Sequence, residues 1–305
     1  MKRICVLMAT YNPESYIFEQ VQSIINQKDV QIEIIIRDDG SINKEWIKNV
    51  KEFSNNITII EGNNLGIAGN IKALIDYAFN NNIQADYWAY SDQDDYWDND
   101  KLSSAVQKLD KMDNSKPCVY YSNLLVCDKL LNPNHNHFAK DEIKNSKEQG
   151  LARYATYACT TVFNKEMLRT LSKNGFGGLE FDVAIYLIGI YVGESYYDEI
   201  PHIHYRMHGD NLSGQHYSGM RQVLFRFSQL LSIKNMEQPY SCGAQYLLDF
   251  YVTELQDDDI ARCQLILNAH NSLLNRITLL SSKLLDPGNI RRKVFNIIRI
   301  LFNKY

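Results

Sequence analysis

The sequence predicts an α/β fold: a mostly parallel sheet covered by helices on both faces, followed by a C-terminal helical region. Three observations carry this reading. Short continuous apolar runs alternate with amphipathic stretches through the first 115 residues, the pattern of strands buried on both faces and of the helices that cover them. Each run ends in a polar cluster. Over the last ninety or so residues, apolar positions recur at helical spacing.

Residues 3–9 form the first buried strand and end in Thr10-Tyr11-Asn12-Pro13. Asn12 suits a helix N-cap, with Pro13 at the first helical position. Ile17, Val21, Ile24 and Ile25 then recur at i, i+4, i+7 and i+8, the stripe of an amphipathic helix. A second strand over 32–37 runs into Asp38-Asp39-Gly40-Ser41. A helix over 45–53, a strand over 57–60 and a helix over 69–79 follow, and a strand over 87–91 delivers Asp92-Gln93-Asp94-Asp95. Right-handed crossovers turn this β-α-β-α-β-α-β order into a Rossmann-like parallel sheet. Ligands of such sheets lie off the carboxyl ends of the strands. The clusters 10–12, 38–41, 63–70 and 92–95 all stand there.

Past residue 116 the pattern changes. The sequence predicts a strand over 118–127, a polar surface loop over 132–147 and an extended segment over 154–163. A short helix over 165–172 and a Gly175-Phe176-Gly177-Gly178 loop lead to Phe181-Asp182 and an apolar helix over 183–192. Strands over 195–200 and within 202–208 complete the region. Helical spacing then runs through Val223, Phe225, Leu230 and Leu231, through Tyr246, Leu247, Phe250 and Tyr251, and through Leu265, Ile266, Leu273, Ile277 and Leu280. The expected organisation is a first half over 1–115, a second half of the same domain over 116–215, and a helical region over 216–305.

Of 305 residues, 45% are hydrophobic and 22% charged, with a net charge of −4. That apolar content excludes a disordered chain, and the mild acidity excludes a nucleic-acid coat. The six cysteines form no Cys-x-x-Cys pair and read as reduced core residues of a cytoplasmic protein, not a zinc site or a disulfide set. No apolar run reaches the roughly 18–20 residues that span a membrane, and the start of the chain lacks a secretory signal. Neither G-x-x-x-x-G-K-[ST] nor G-x-G-x-x-G is present, so a glycine-rich phosphate cradle is missing.

The chemistry therefore rests on carboxylates. In an extended segment Asp92 and Asp94 point to the same side and can converge on one cation. Hard divalent ions take carboxylate oxygens and bridge them to a diphosphate. A solvated acidic turn capping a helix near Asp98 or Asp100 is the ordinary alternative. Three Asp in four residues at a strand end, with Asp38-Asp39 at an equivalent end, favour the cation.

Thr10-Tyr11-Asn12, Arg37-Asp38-Asp39-Gly40-Ser41, Asn64-Leu65-Gly66 with Asn70, and Ser91-Asp92-Gln93-Asp94-Asp95-Tyr96-Trp97 resemble the family-2 glycosyltransferases of the GT-A fold, most of all their bacterial rhamnosyltransferase-like branch. Ala158-Cys159-Thr160, Phe181-Asp182 and Tyr205-Arg206-Met207-His208-Gly209-Asp210-Asn211 are similar to the same branch's acceptor half, so the resemblance spans about residues 3–215 in order. It implies that Thr10, Tyr11 and Asn12 lie against the nucleoside of a dTDP- or UDP-sugar. Asp39 would accept from the pyrimidine, Asp38 would support that loop, and Asn70 and Gln93 would complete the donor site. Asp92 would approach the ribose and a Mn²⁺ or Mg²⁺ ion, Asp94 would be the principal metal ligand, and His208 would complete the metal site or touch the diphosphate. Asp182 would be the general base of an inverting transfer to a cell-surface polysaccharide or lipid-linked glycan.

Ordinary readings stand beside these. Asp182 also fits an N-cap of the helix behind it. His202 and His204 read as solvated or core-satisfied, and Trp88, Trp97 and Tyr96 as packing rather than sugar platforms. Phe181, Ala158 and Met207 depart from the family pattern, all in the acceptor half. Other enzyme classes use similar acids: a metal-dependent phosphohydrolase could be built on the Asp cluster plus His208, and a non-catalytic nucleotide-sugar-binding module would keep Asp39 without needing Asp182. Residues 288–305 hold five basic residues and no acid, and Val294, Ile297, Ile298, Leu301 and Phe302 form one stripe. This suits a helix lying on an anionic membrane surface or a helix docked on the protein's own helices, while the C-terminal helices together offer a surface for oligomer assembly.

Overall fold

The computed structural model describes residues 1–208, 239–282 and 287–305. The chain divides into two compact units, 1–145 with 155–207, and 146–154 with 208–305. Gly209, Asp210, Asn211 and the predicted helical positions Val223, Phe225, Leu230 and Leu231 lie outside the described residues.

The first unit opens with β1 (Lys2–Thr10), α1 (Tyr16–Ile25), β2 (Val30–Asp38), α2 (Glu45–Lys51), β3 (Ile57–Glu61), α3 (Gly66–Asn80) and β4 (Tyr87–Ser91). It continues through β5 (Tyr96–Trp97), α4 (Lys101–Leu109), β6 (Cys118–Ser122), β7 (Leu125–Cys127) and β8 (Pro133–Asn136). After the helical segment α5 (Lys147–Gly150), which belongs to the second unit, come β9 (Val162–Phe163), α6 (Lys165–Asn174), α7 (Phe181–Tyr191), β10 (Glu194–Asp198) and β11 (Ile203–Arg206).

Among the described residues, seven strands form one sheet in the order β10-β6-β9-β4-β1-β2-β3. Every pairing is parallel except those of the two-residue β9, which runs against both β4 and β6. The continuous apolar run of β1 is buried on both faces, with Ile4 through Met8 no more than 1% exposed. Ile34, Ile35 and Ile36 of β2 are buried beside it. Along one side the chain proceeds β1, β2, β3, and then returns to lay β4 on the other side of β1. That reversal opens a crevice at the carboxyl ends of β1 and β4, where α/β sheets bind ligands. Register places Thr10 opposite Asp38 and Met8 opposite Ser91, so the three polar clusters leave the sheet side by side.

A second sheet in the order β5-β11-β7-β8 lies past the acidic turn. The strand predicted over 118–127 is thus two strands in different sheets, broken where Asn123 turns the chain and its side chain bonds the Leu124 and Phe138 amides. The predicted loop over 132–147 contains β8, an edge strand that starts at Pro133 and is exposed throughout, so it carries no apolar alternation. Of the extended segment over 154–163 only β9 pairs, preceded by a 3₁₀ turn at Ala158–Thr160. Asn12 is not the N-cap of α1, which Ser15 precedes. Its backbone adopts φ +43 and its side chain accepts the Ile42 amide at 2.9 Å, tying the first two clusters together instead.

The second unit contains α5 with α8 (Pro239–Tyr251), α9 (Asp257–Asn268), α10 (Leu273–Ser281) and α11 (Ile290–Leu301). Segment 146–154 is held among these helices: Lys147 pairs with the buried Asp259, and the Asn296 side chain donates to the Ala152 carbonyl at 3.2 Å. The C-terminal helix α11 docks through Asn296 and Ile300, both buried, and Tyr305 stacks on His270 with ring centroids 4.3 Å apart. Docking on the protein's own helices is therefore realised, yet it uses the face opposite the predicted stripe: Val294, Ile297, Leu301 and Phe302 are exposed. Five of the six free cysteines are buried as expected, whereas Cys242 on α8 is exposed. Among the described residues no helix is long and apolar enough to cross a membrane.

Candidate active site

The nucleoside side of the crevice is built around a buried ion pair that the sequence reading missed. Arg37, the penultimate residue of β2, donates Nη1 to Asp39 Oδ1 at 2.6 Å and to Asn70 Oδ1 at 2.9 Å, and Nη2 to the Asn63 carbonyl at 3.1 Å. Asp39 Oδ1 also accepts the Leu65 amide at 2.9 Å, which leaves Oδ2 for a ligand. Both charges are almost wholly buried, and such a pair persists only with this density of partners. Gly62 makes room for it, since a Cβ there would fall 2.3 Å from Arg37 Nη2. Asn70, on α3, returns a bond from Nδ2 to the Thr10 carbonyl at 3.3 Å. Asp38 is fully buried and spends both oxygens on Ser41, whose hydroxyl in turn accepts the Asn12 amide at 2.7 Å. It staples the loop and presents nothing to a ligand.

Gln93 joins this side to the acidic turn. Its Oε1 accepts from Thr10 Oγ1 at 2.6 Å and from the Tyr11 amide at 3.0 Å, leaving the Tyr11 ring half in solvent. The turn itself is crowded with carboxylates. Burial, and then the charge of Asp94, push Asp92 up to about 7, even though Tyr90 donates its hydroxyl to Asp92 Oδ1 at 3.0 Å. Asp95 lies beneath, completely buried. Burial and then its two acidic neighbours push it well above the usual carboxylate range, and its Oδ2 has no hydrogen-bond partner. Donor atoms of Asp92, Asp95 and Cys159 lie within 4.8 Å of one another. Burial pulls the adjacent Lys101 down to about 7, and its ammonium sits 3.6 Å over the Trp97 ring with no hydrogen bond.

Arg206, the last residue of β11, holds the turn in place. Its Nε donates to the Asp94 carbonyl at 2.8 Å, Nη1 to the Lys129 carbonyl at 2.8 Å, and Nη2 pairs with Glu19 of α1 at 2.5 Å, while its amide donates to Asp95 Oδ1. Sequence reading placed Arg206 only as a neighbour of His208. The Asp95–Lys101–Cys159 knot and the Arg206 clamp had one available signal: three Asp in four residues at a buried strand end need internal cations.

Asp182 comes to this turn from about ninety residues downstream. It is the second residue of α7, not its cap, a position Glu180 holds. Its Oδ1 accepts the Val183 amide at 2.9 Å. Burial, then Glu180, and more weakly Asp92, raise it to about 7. A helix N-terminus favours the ionised carboxylate by at most about 1 kcal/mol at an ordinary surface, and here burial outweighs it. The aromatic wall is Phe181, packed on Tyr90 at 5.4 Å and on Phe176 at 5.5 Å.

His202 is buried, its Nδ1 bonded to Asp100 at 3.1 Å while Nε2 lies 3.8 Å from Asp198 without a hydrogen bond, and His204 bonds Asp98 at 3.0 Å, so both are engaged by acids of the first unit. Trp88 and Trp97 are buried packing residues, and Tyr96 lies edge-on to His204. His208 is half-buried and belongs to the second unit.

Chemically, Asp92 and Asp94 are mutually repelling oxygen donors at the mouth of the crevice, and a hard divalent cation is the group that relieves such repulsion. Cys159 is a soft donor. Burial, then Asp95 and Asp92, hold its thiol well above its usual range, so it stays protonated beneath the acids. Among the described residues the donor atoms that come together are those of Asp92, Asp95 and Cys159, a group that does not include Asp94, the principal ligand expected from the sequence; the group's carboxylate oxygens are the donors a hard divalent ion takes.

Residues 5–171 match the sequence profile of glycosyl transferase family 2. The chain belongs to this family. It is therefore a glycosyltransferase, and its sheet is that of the GT-A fold. The glycosyltransferase is 33% identical over 229 residues to the dTDP-rhamnosyl transferase RfbG of Shigella flexneri, covering 69% of this chain and 75% of that one. It is 25% identical over 231 residues to the UDP-Glc:alpha-D-GlcNAc-diphosphoundecaprenol beta-1,3-glucosyltransferase WfaP of Escherichia coli, covering 71% and 82%. Among solved structures it resembles S. aureus TarS 1-349 in complex with UDP-GlcNAc, with a TM-score of 0.56 at 14% identity over 98% of this chain and 90% of that one. That last likeness is one of fold.

Proposed function

We propose that this glycosyltransferase moves rhamnose or a hexose from a dTDP- or UDP-sugar to a cell-surface polysaccharide or lipid-linked glycan, by one inverting displacement. The observation that supports this best is the meeting of Asp182 with the acidic turn across about ninety residues of sequence. The charge of Asp92 is felt at Asp182, and Phe181 beside it packs on Tyr90 at 5.4 Å, which supports a base next to the diphosphate site. The similarity to RfbG supports dTDP-rhamnose, and the similarity to WfaP supports UDP-glucose and a diphospholipid-linked acceptor.

In this reading Asp39 Oδ2 accepts from the pyrimidine N–H, while Arg37, Asn70 and the Leu65 amide hold that carboxylate in place. Tyr11, Thr10 and Asn12 line the nucleoside, with Gln93 fixing the Thr10–Tyr11 backbone. Asp92 and Asp94 would hold a divalent cation, which when bound offsets the charge growing on the departing diphosphate. Asp182 accepts the acceptor hydroxyl's proton as that oxygen bonds to the anomeric carbon. The bond from that carbon to the phosphate oxygen breaks, its electrons leave with the nucleoside diphosphate, and the anomeric configuration inverts. The site needs no covalent intermediate. The enzyme would work in the cytoplasm or at the inner face of the membrane.

The test is release of nucleoside diphosphate from dTDP- and UDP-sugars with Mn²⁺, with and without lipid-linked glycan acceptor. Release that needs acceptor, stops with EDTA and leaves the opposite anomer by NMR supports the proposal. Equal release without acceptor would instead indicate a phosphohydrolase.

A further inference from the structure

The second unit turns an unusual surface to solvent. Along α11, Ile290, Val294, Ile297 and Leu301 are spaced at i, i+4, i+7 and i+11, a single face of a helix, and all are exposed, as is Phe302. On α10, which packs beside α11, Leu273, Leu274 and Ile277 are 62–73% exposed. The same two helices are anchored from behind by Leu279, Asn296, Ile300 and Tyr305, so these apolar side chains do not serve the unit's own core. Rows of this kind on a globular protein mark a contact surface.

Charge selects the occupant. In a chain of net charge −4, residues 260–305 carry eight basic side chains against one acid. Arg291 and Lys293 stand exposed on α11 itself. Two copies meeting through this face would bring like charges together, which opposes self-association. An anionic bilayer instead attracts the basic side chains and accepts the apolar ones among its acyl chains.

We propose that the outward faces of α10 and α11 dock on an anionic lipid surface, with Leu273, Leu274, Ile277, Val294, Ile297 and Leu301 entering the headgroup boundary. Arg291 and Lys293 meet the lipid phosphates. This contact does not depend on the catalytic assignment, because it places no residue of the acidic turn.

Co-sedimentation of the full chain with phosphatidylglycerol–phosphatidylcholine vesicles tests it, against phosphatidylcholine alone. The expected result is binding to the anionic vesicles that falls with added salt. Arg291→Gln with Lys293→Gln should weaken it about thirtyfold at low salt. Val294→Ser with Ile297→Ser and Leu301→Ser should weaken it at least as much, with an unchanged melting temperature because the positions are exposed. No binding to anionic vesicles, or binding that both variants leave unchanged, would overturn the proposal. So would a dimer, seen by light scattering, that the apolar variant dissolves while wild type ignores vesicles.

Discussion

Asp182→Asn is expected to slow sugar transfer by about 10²- to 10⁴-fold, the contribution of a positioned general base, and to leave nucleotide-sugar affinity within about threefold of wild type. The amide keeps the size of the side chain and its contact with the Val183 amide, but cannot take a proton. The pH dependence follows from the same burial. Asp182 is raised to about 7, and only its ionised form is a base, so wild-type turnover should climb tenfold per pH unit below 7 and level off above it. Because Asp92 is also raised to about 7 and its charge is felt at Asp182, the apparent midpoint belongs to the pair. Glu180→Gln isolates Asp182. Glu180 is exposed, and after burial it is the largest influence holding the base up. Removing its charge should move the acid limb to lower pH with the plateau unchanged. A rate indifferent to pH between 5 and 8, or an Asp182→Asn enzyme that transfers normally, would remove Asp182 from the mechanism.

The second large effect lies in the Arg37–Asp39 pair. Arg37→Met leaves a carboxylate buried without its cation, which should cost about 3–5 kcal/mol of stability and abolish donor binding. Arg37→Lys should do little better, since one ammonium cannot reach Asp39, Asn70 and the Asn63 carbonyl as the guanidinium fork does. The double variant Arg37→Met with Asp39→Leu separates folding from function: an apolar pair of similar volume should recover most of the melting temperature while donor binding stays lost. Recovery of both would mean that Asp39 holds the loop together and nothing more.

Much of the first unit was legible because β1, β2 and β4 are buried on both faces, so their apolar runs are uninterrupted and their ends are punctuated by polar clusters. β8 was not, because a four-residue edge strand reading Pro-Asn-His-Asn has no apolar face to betray it. β9 is two residues long, and a fragment of that length is made a strand by its neighbours β4 and β6. In the site, the acids at strand ends could be read directly, since carboxylates have few reasons to gather there. Their internal partners could not. Arg37 ends an apolar strand, Lys101 opens a helix and Arg206 lies in a short motif, positions that sequence alone assigns to solvent. Only the packing of β2 against Gly62, and of β11 against the acidic turn, turns these cations inward. The C-terminal helix shows the opposite case: its stripe was legible, but a stripe does not say whether it faces protein or solvent.

The central claim is that the strand-end acids hold a nucleoside diphosphate through a divalent cation. Isothermal titration of UDP and dTDP into the wild type, Asp94→Asn and Asp39→Leu, each with Mn²⁺ and with EDTA, tests it most directly. The account predicts binding by the wild type that requires Mn²⁺, loss of that Mn²⁺ dependence in Asp94→Asn, and loss of pyrimidine nucleotide in Asp39→Leu while Mn²⁺ alone still binds. Nucleotide affinity identical in Mn²⁺ and EDTA, and unmoved by either substitution, would contradict it.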